Sequence, residues 1–122
     1  MLKTDKTLVF GASLKPQRYS NMAMKSLSDR GFEAMGFGLV EGTAYNLKIT
    51  SNLDDVQGVH TITIYMRPSL LKPFTERLIG LRPRRVIFNP GAESPETYPK
   101  WEAAGVEVVE ACTLVMLATG TY

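Results

Sequence analysis

Gly11-Ala12-Ser13-Leu14-Lys15-Pro16-Gln17-Arg18-Tyr19-Ser20 holds the residues best placed to do chemistry: a permissive glycine, two serines and two cations in ten positions. The apolar Leu8-Val9-Phe10 run lies ahead of it and a helical pattern behind it. That order describes a strand, a turn and a helix entrance, the arrangement that offers backbone N–H groups to an anion. Gly11 lets the backbone approach a ligand, and Ser20 is placed to cap the helix. A helix N-terminus contributes only about 0.3–1 kcal/mol toward an anion, roughly 2 at best, so Lys15 and Arg18 must share the binding.

The elements that would position this loop follow from periodicity. Apolar clusters recur at Leu8 to Phe10, Ala34 to Phe37, Thr61 to Tyr65, Val86 to Phe88 and Val106 to Val109, spaced to leave room for one helix each. Helical spacing predicts a first helix over residues 21–30 ending at Gly31, and a second starting near Ser69 and stopping at Gly80. Pro73 must then fall in or near that helix's first turn. A third helix runs from a cap at Ser94 or Thr97 to Gly105, and a fourth from Thr113 to Ala118. The expected fold is α/β: a doubly wound, mainly parallel five-stranded sheet of order 3-2-1-4-5 with helices on both faces, formed by residues 1–122 as one domain.

In such sheets the ligand crevice lies at the strand C-terminal ends. The loops at residues 11–20, 38–48, 66–69, 89–94 and 111–113 then open onto one edge, and His60, Arg84 and Arg85 lie on the opposite one. His60, the single histidine, is thereby removed from the site, and Asp54 and Asp55 form a surface turn with no third metal ligand in sequence. Cys112 reads as a buried apolar filler, because no histidine stands near it. No paired acid and base falls in the predicted crevice, so no catalytic constellation is assigned.

Composition narrows the partners. The chain is 44% hydrophobic and 21% charged with a net charge of +2, too small to argue for nucleic acid. No apolar run reaches the ~20 residues that span a bilayer, and Met1-Leu-Lys-Thr-Asp-Lys lacks a signal-peptide core. With its single cysteine, this gives the expectation of a cytoplasmic protein without a membrane partner. A dinucleotide site would want Gly-x-Gly-x-x-Gly and an acid at the end of the second strand; a Walker loop would want Gly-Lys-Ser or Gly-Lys-Thr. Neither pattern is present, and the nearest acid to strand two is Glu41 in the following loop. A longer, cationic first loop suits dispersed phosphates.

Gly11-Ala12-Ser13, Lys15 through Ser20, Met66-Arg67-Pro68, Asn89-Pro90-Gly91 and the Gly105 to Cys112 ending together resemble the small single-domain CoA-binding proteins. These are similar to the N-terminal domain of the succinyl-CoA synthetase alpha subunit and of ADP-forming acyl-CoA synthetases. The resemblance implies a Rossmann-like fold with coenzyme A as cofactor and CoA or acyl-CoA as partner. It places Gly11, Ala12 and Ser13 against the diphosphate or adenosine, and Arg18 and Ser20 near the phosphates. Arg67 and Pro68 follow along the crevice, with Asn89, Pro90 and Gly91 near the pantetheine. The chain departs from the family pattern at Gly36-Phe37-Gly38-Leu39, where an Asn-Pro often ends the second strand, and at Asn89-Pro90-Gly91, where Gln-Gly often stands.

Two other readings stay open at this level. One is an NAD(P)- or nucleotide-dependent enzyme on the same scaffold. The other is an interaction subunit that pairs with itself or with a larger acyl-CoA enzyme through the apolar Leu114-Val115-Met116-Leu117 run.

Overall fold

The computed structural model describes residues 1–122. Its strands are β1 (Lys6–Phe10), β2 (Ala34–Phe37), β3 (Gly42–Ala44), β4 (Leu47–Thr50), β5 (Val59–Ile64), β6 (Arg85–Phe88) and β7 (Glu107–Glu110). The helices are α1 (Tyr19–Asp29), α2 (Pro68–Leu71), α3 (Thr75–Gly80), α4 (Tyr98–Ala103) and α5 (Thr113–Thr119). All seven strands join one sheet in the order β3-β4-β2-β1-β5-β6-β7. Every pairing is parallel except β3 with β4. The fold is the expected α/β, Rossmann-like one.

Strand count and neighbours need correction. The five-strand order sets Thr61–Tyr65 outside the second strand, whereas β5 pairs directly with β1. The place beyond β2 belongs to β4, reached through a hairpin where the sequence pattern predicts only a loop, 38–48. Too few residues separate β2 from β4 for a helical crossover. The chain instead runs out to the sheet edge as β3 and returns as β4 through Tyr45 and Asn46, both at positive φ (54° and 65°), the conformation of a tight two-residue hairpin turn. Counting parallel strands alone, the order is 3-2-1-4-5-6, with β4 third in chain order.

Alternation along the strands builds two cores. Leu8, Phe10, Phe37, Ile62, Ile64, Val86 and Phe88 face α2 to α4, where they meet Leu71, Leu78 and Trp101. Phe10 and Phe37 stack at 4.9 Å between ring centroids, with Phe74 edge-on to both. The opposite face packs Val9, Ala12 and Ile49 against Met24, Leu27 and Leu117. It is also more polar: Thr7, Thr61 and Thr63 are all buried.

Helix boundaries differ in three places. α1 begins at Tyr19 with Arg18 as its N-cap, so Ser20 lies inside the first turn, buried, and caps nothing. The second predicted helix is broken: Pro73 sits in a 3-10 turn, Lys72–Phe74, that joins α2 to α3. Gly80 is a helical residue, and the left-handed position that follows α3 is taken by Arg82 at φ 55°.

Gly38 follows β2 and sits against the first loop, so that a Cβ there would lie 2.2 Å from the Ala12 carbonyl oxygen. Gly80 is exposed, with open space where a Cβ would go. Gly38→Ala is therefore expected to destabilise by about 1–3 kcal/mol through overpacking against backbone. Gly80→Ala is expected to stabilise by about 0.4–1 kcal/mol by restricting the unfolded chain. Urea unfolding midpoints of the two variants check the opposite signs.

Candidate functional site

β1, β5 and β6 end together, and the loops leaving them wall a crevice along the sheet's C-terminal edge. Gly11 at φ 97° turns the chain out of β1 directly over the backbone of Tyr65, where a Cβ would stand 3.1 Å from the Tyr65 carbonyl. The amides of Gly11 and Ala12 both donate to the Phe37 carbonyl, at 2.9 and 2.8 Å. They clamp the loop to β2 and are not available to a ligand, which revises the expected role of the Gly11-Ala12 backbone.

Beyond that clamp the loop is held by its own side chains. The Lys15 amide donates to Ser13 Oγ at 3.1 Å, and Asn21 Nδ2 donates to the Ser13 carbonyl at 2.8 Å. Tyr45 in the hairpin turn donates in turn to Asn21 Oδ1. The amides of Ser13 and Leu14, and those of Tyr19 to Asn21 that open α1, find no acceptor within the protein. They are the free backbone donors of the loop and of the helix entrance.

Lys15, Arg18 and Arg67 line two adjoining cavities of about 420 and 630 Å³. Both cavities also share Gly11, Ser13, Tyr65 and Met66. The molecule's ion pairs are Lys25–Asp29, His60–Asp5, Arg77–Asp54 and Lys100–Glu76, and none involves these three cations. No acidic residue lines either cavity. Glu41, the acid nearest the end of β2, directs Oε2 to the Ser51 amide and hydroxyl at 3.1 and 2.8 Å. Those hydrogen bonds hold its carboxyl below the usual range. Glu41 is thus committed to the β4 turn and does not offer the ribose contact that a dinucleotide site requires.

Around the cations the walls are apolar. On the β2 side stand Leu14, Leu39, Val40 and Leu70, with Leu39 91% and Val40 65% exposed. On the α5 side, Tyr19, Tyr65, Asn89, Pro90, Cys112 and Leu114 line a third cavity of about 290 Å³. Cys112 is half-buried there, which corrects its reading as a buried filler.

Asn89 builds this end. Only 2% exposed, it donates from Nδ2 to Thr63 Oγ1 at 2.7 Å and to the Ile64 carbonyl at 2.9 Å. Its Oδ1 accepts from the Thr113 amide at 2.8 Å, in place of a side-chain cap on α5. Thr63 and Thr113 hydroxyls meet at 2.7 Å. The Tyr65 phenol lies beside these threonines, and its burial pushes its pKa up, so it stays neutral.

Of the residues singled out from sequence, Gly11, Ser13, Lys15, Arg18, Ser20, Arg67, Asn89, Pro90 and Gly91 line the 420 Å³ cavity and Ala12 the 630 Å³ one. Pro68 lies outside both linings; as the first residue of α2 it sets Arg67 at the helix N-cap. His60 sits near Asp5 at the opposite edge, 3.9 Å away. Tyr19, Leu39, Val40 and Met66 also line the cavities and fall in loops the strand-end rule selects, 11–20, 38–48 and 66–69, though not singled out; Tyr65 and Leu114, outside those loops, were missed.

Residues 5–118 match the family described as CoA binding domain. Among solved structures the chain is similar to one described only as an uncharacterized protein, at 35% identity and TM-score 0.92, with 98% of each chain covered. It also shares its fold with cell-free ID.343 from Thermus thermophilus, at 20% identity and TM-score 0.86, over 98% of this chain and 92% of that one. A hypothetical protein from Pyrococcus horikoshii OT3 aligns at 22% identity and TM-score 0.85, over 95% and 83%. No curated protein matches.

Replacing Asn89 with alanine removes three side-chain hydrogen bonds and strands the buried Thr113 amide. Asn89→Ala is expected to cost about 3 kcal/mol at roughly 1 kcal/mol per bond. Chemical denaturation reads this loss.

Proposed function

The chain belongs to the CoA binding domain family, and from that premise we propose that the crevice holds coenzyme A or an acyl-CoA, without chemistry of its own. The observation that carries this reading is the trio Lys15, Arg18 and Arg67, unpaired within the protein and unopposed by any acid in the lining. Three like charges facing one another across a crevice are a standing repulsion that a polyanion relieves. CoA brings a diphosphate and a 3′-phosphate at separate points, which matches dispersed cations better than one tight backbone nest does.

The walls on either side fit the remainder of such a ligand. Leu14, Leu39, Val40 and Leu70 offer apolar surface to a base next to the cations. Across the cation cluster, the side of Asn89, Pro90 and Gly91 receives the pantetheine arm. Ser13 and Leu14 amides and the first turn of α1 add neutral donors to the phosphates. The titratable groups at the crevice are Lys15, Arg18, Arg67, Tyr19, Tyr65 and Cys112. Glu41's engagement with Ser51 argues against the NAD(P) reading.

Calorimetric titration with CoA, 3′-dephospho-CoA and NADH tests the proposal. CoA is expected to bind, dephospho-CoA more weakly, and NADH least. Arg18→Ala is expected to lose about 1.5–3 kcal/mol of CoA binding, as for one charge-assisted phosphate contact. Flat traces at millimolar CoA, weaker than about 4 kcal/mol, defeat the reading.

A further inference from the structure

The 290 Å³ cavity beside α5 is not accounted for by phosphates or a base. It opens onto the cationic crevice through Tyr19, Tyr65, Asn89 and Pro90, which line both. Its far side is Cys112 and Leu114, at the start of α5. No Lys, Arg, Asp or Glu lines it. Asn89, its one amide side chain, has Nδ2 and Oδ1 engaged with Thr63, Ile64 and Thr113. The Tyr65 hydroxyl is shut off from solvent, so the ring and not the oxygen faces the space.

Resting on the proposed CoA site, we infer that this slot is an acyl subsite: it receives the short, uncharged acyl chain of a CoA thioester. At ~30 Å³ per water the slot has room for roughly ten waters, enough for the thioester end of pantetheine and a few methylenes. A long fatty chain exceeds that volume. A dicarboxylic acyl group would bury its terminal carboxylate against Leu114 and Pro90 with no cation in the lining, which is unfavourable. The ligand class is therefore short-chain, monocarboxylic acyl-CoA in preference to free CoA. The slot also explains the half-exposure of Cys112, whose surface borders an unfilled space.

The test compares acetyl-CoA, butyryl-CoA, succinyl-CoA and CoA by calorimetry on the full chain. Each methylene buried tightens binding roughly fourfold, so butyryl-CoA, with two more, is expected to bind roughly fifteenfold tighter than acetyl-CoA. Succinyl-CoA is expected to bind no tighter than CoA. Leu114→Trp, which fills the slot, should erase the preference for butyryl over acetyl. Cys112, the chain's one thiol, serves as reporter: its alkylation by iodoacetamide should slow more with butyryl-CoA than with acetyl-CoA. Equal affinity for CoA and butyryl-CoA, a preference that survives Leu114→Trp, or alkylation unaffected by butyryl-CoA overturns the acyl subsite while the CoA site stands. Absence of binding by CoA and by every thioester overturns both.

Discussion

Close approach of the first loop to its two neighbouring strands is the constraint on which the site depends. Gly11 and Ala12 donate together to the Phe37 carbonyl, and the Tyr65 amide donates to Phe10 at 2.8 Å. β1 is thereby locked to β2 on one side and β5 on the other at the very residues where the chain leaves the sheet. The lock tolerates no side chain at Gly38, and at Gly36 a Cβ would meet Ala12 Cβ at 2.5 Å. The segment from Ser13 to Arg18 is displaced outward over the edge. Lys15 and Arg18 line the crevice just beyond the two amides, Gly11 and Ala12, that are committed to the clamp.

Of the fourteen lysines and arginines three have carboxylate partners, and three of the others converge on one crevice. Lys25, Arg77 and Lys100 have carboxylate partners on exposed surface, where such pairs contribute little to stability. Lys15, Arg18 and Arg67 have none, and what sets them apart is that they line one crevice in which no acid stands. A modest net charge of +2 conceals this segregation, because composition averages over surfaces that the fold keeps apart. Local charge at a strand edge informs about ligands in a way that net charge cannot.

The strands were legible because their burial is written in period and residue type: Leu8-Val9-Phe10 and Thr61 to Ile64 admit no reading but buried strand. The rule that parallel sheets bind ligands at their C-terminal edge then located most of the crevice from loop positions alone. The β3–β4 hairpin was not legible in the same way. Leu47 and Ile49 alternate with Lys48 and Thr50, but the turn between the strands is Tyr45-Asn46, and a tyrosine at positive φ carries no turn signature. Missing it put β5 beyond β2, on the wrong side of β1. Ser20 and Gly80 misled for a related reason. Each is the residue type preferred at a helix end, and tertiary context put Arg18 and Arg82 there instead. Asn89 stands out in sequence for its place in a loop, while its buried bonds to Thr63 and Thr113 depend on a contact 24 residues away in sequence that no local pattern encodes.

The two faces of the sheet support the site unequally. Under α2 to α4 lies the larger apolar cluster, with Phe10, Phe37, Phe88 and Trp101, and this face fixes the strands themselves. Under α1 and α5 the strands present Thr7, Thr61 and Thr63, and the only fully apolar anchor α5 inserts is Leu117. The start of α5 is held by Asn89 and Thr63 in its place, through directional bonds that specify position more than they add stability. A helix attached in this way belongs to the less stable part of the molecule, since local opening free energy tracks buried apolar contact. The wall bearing Leu114 and Cys112 is accordingly the more adjustable one, while the first loop, clamped to β2 through the backbone, keeps one geometry.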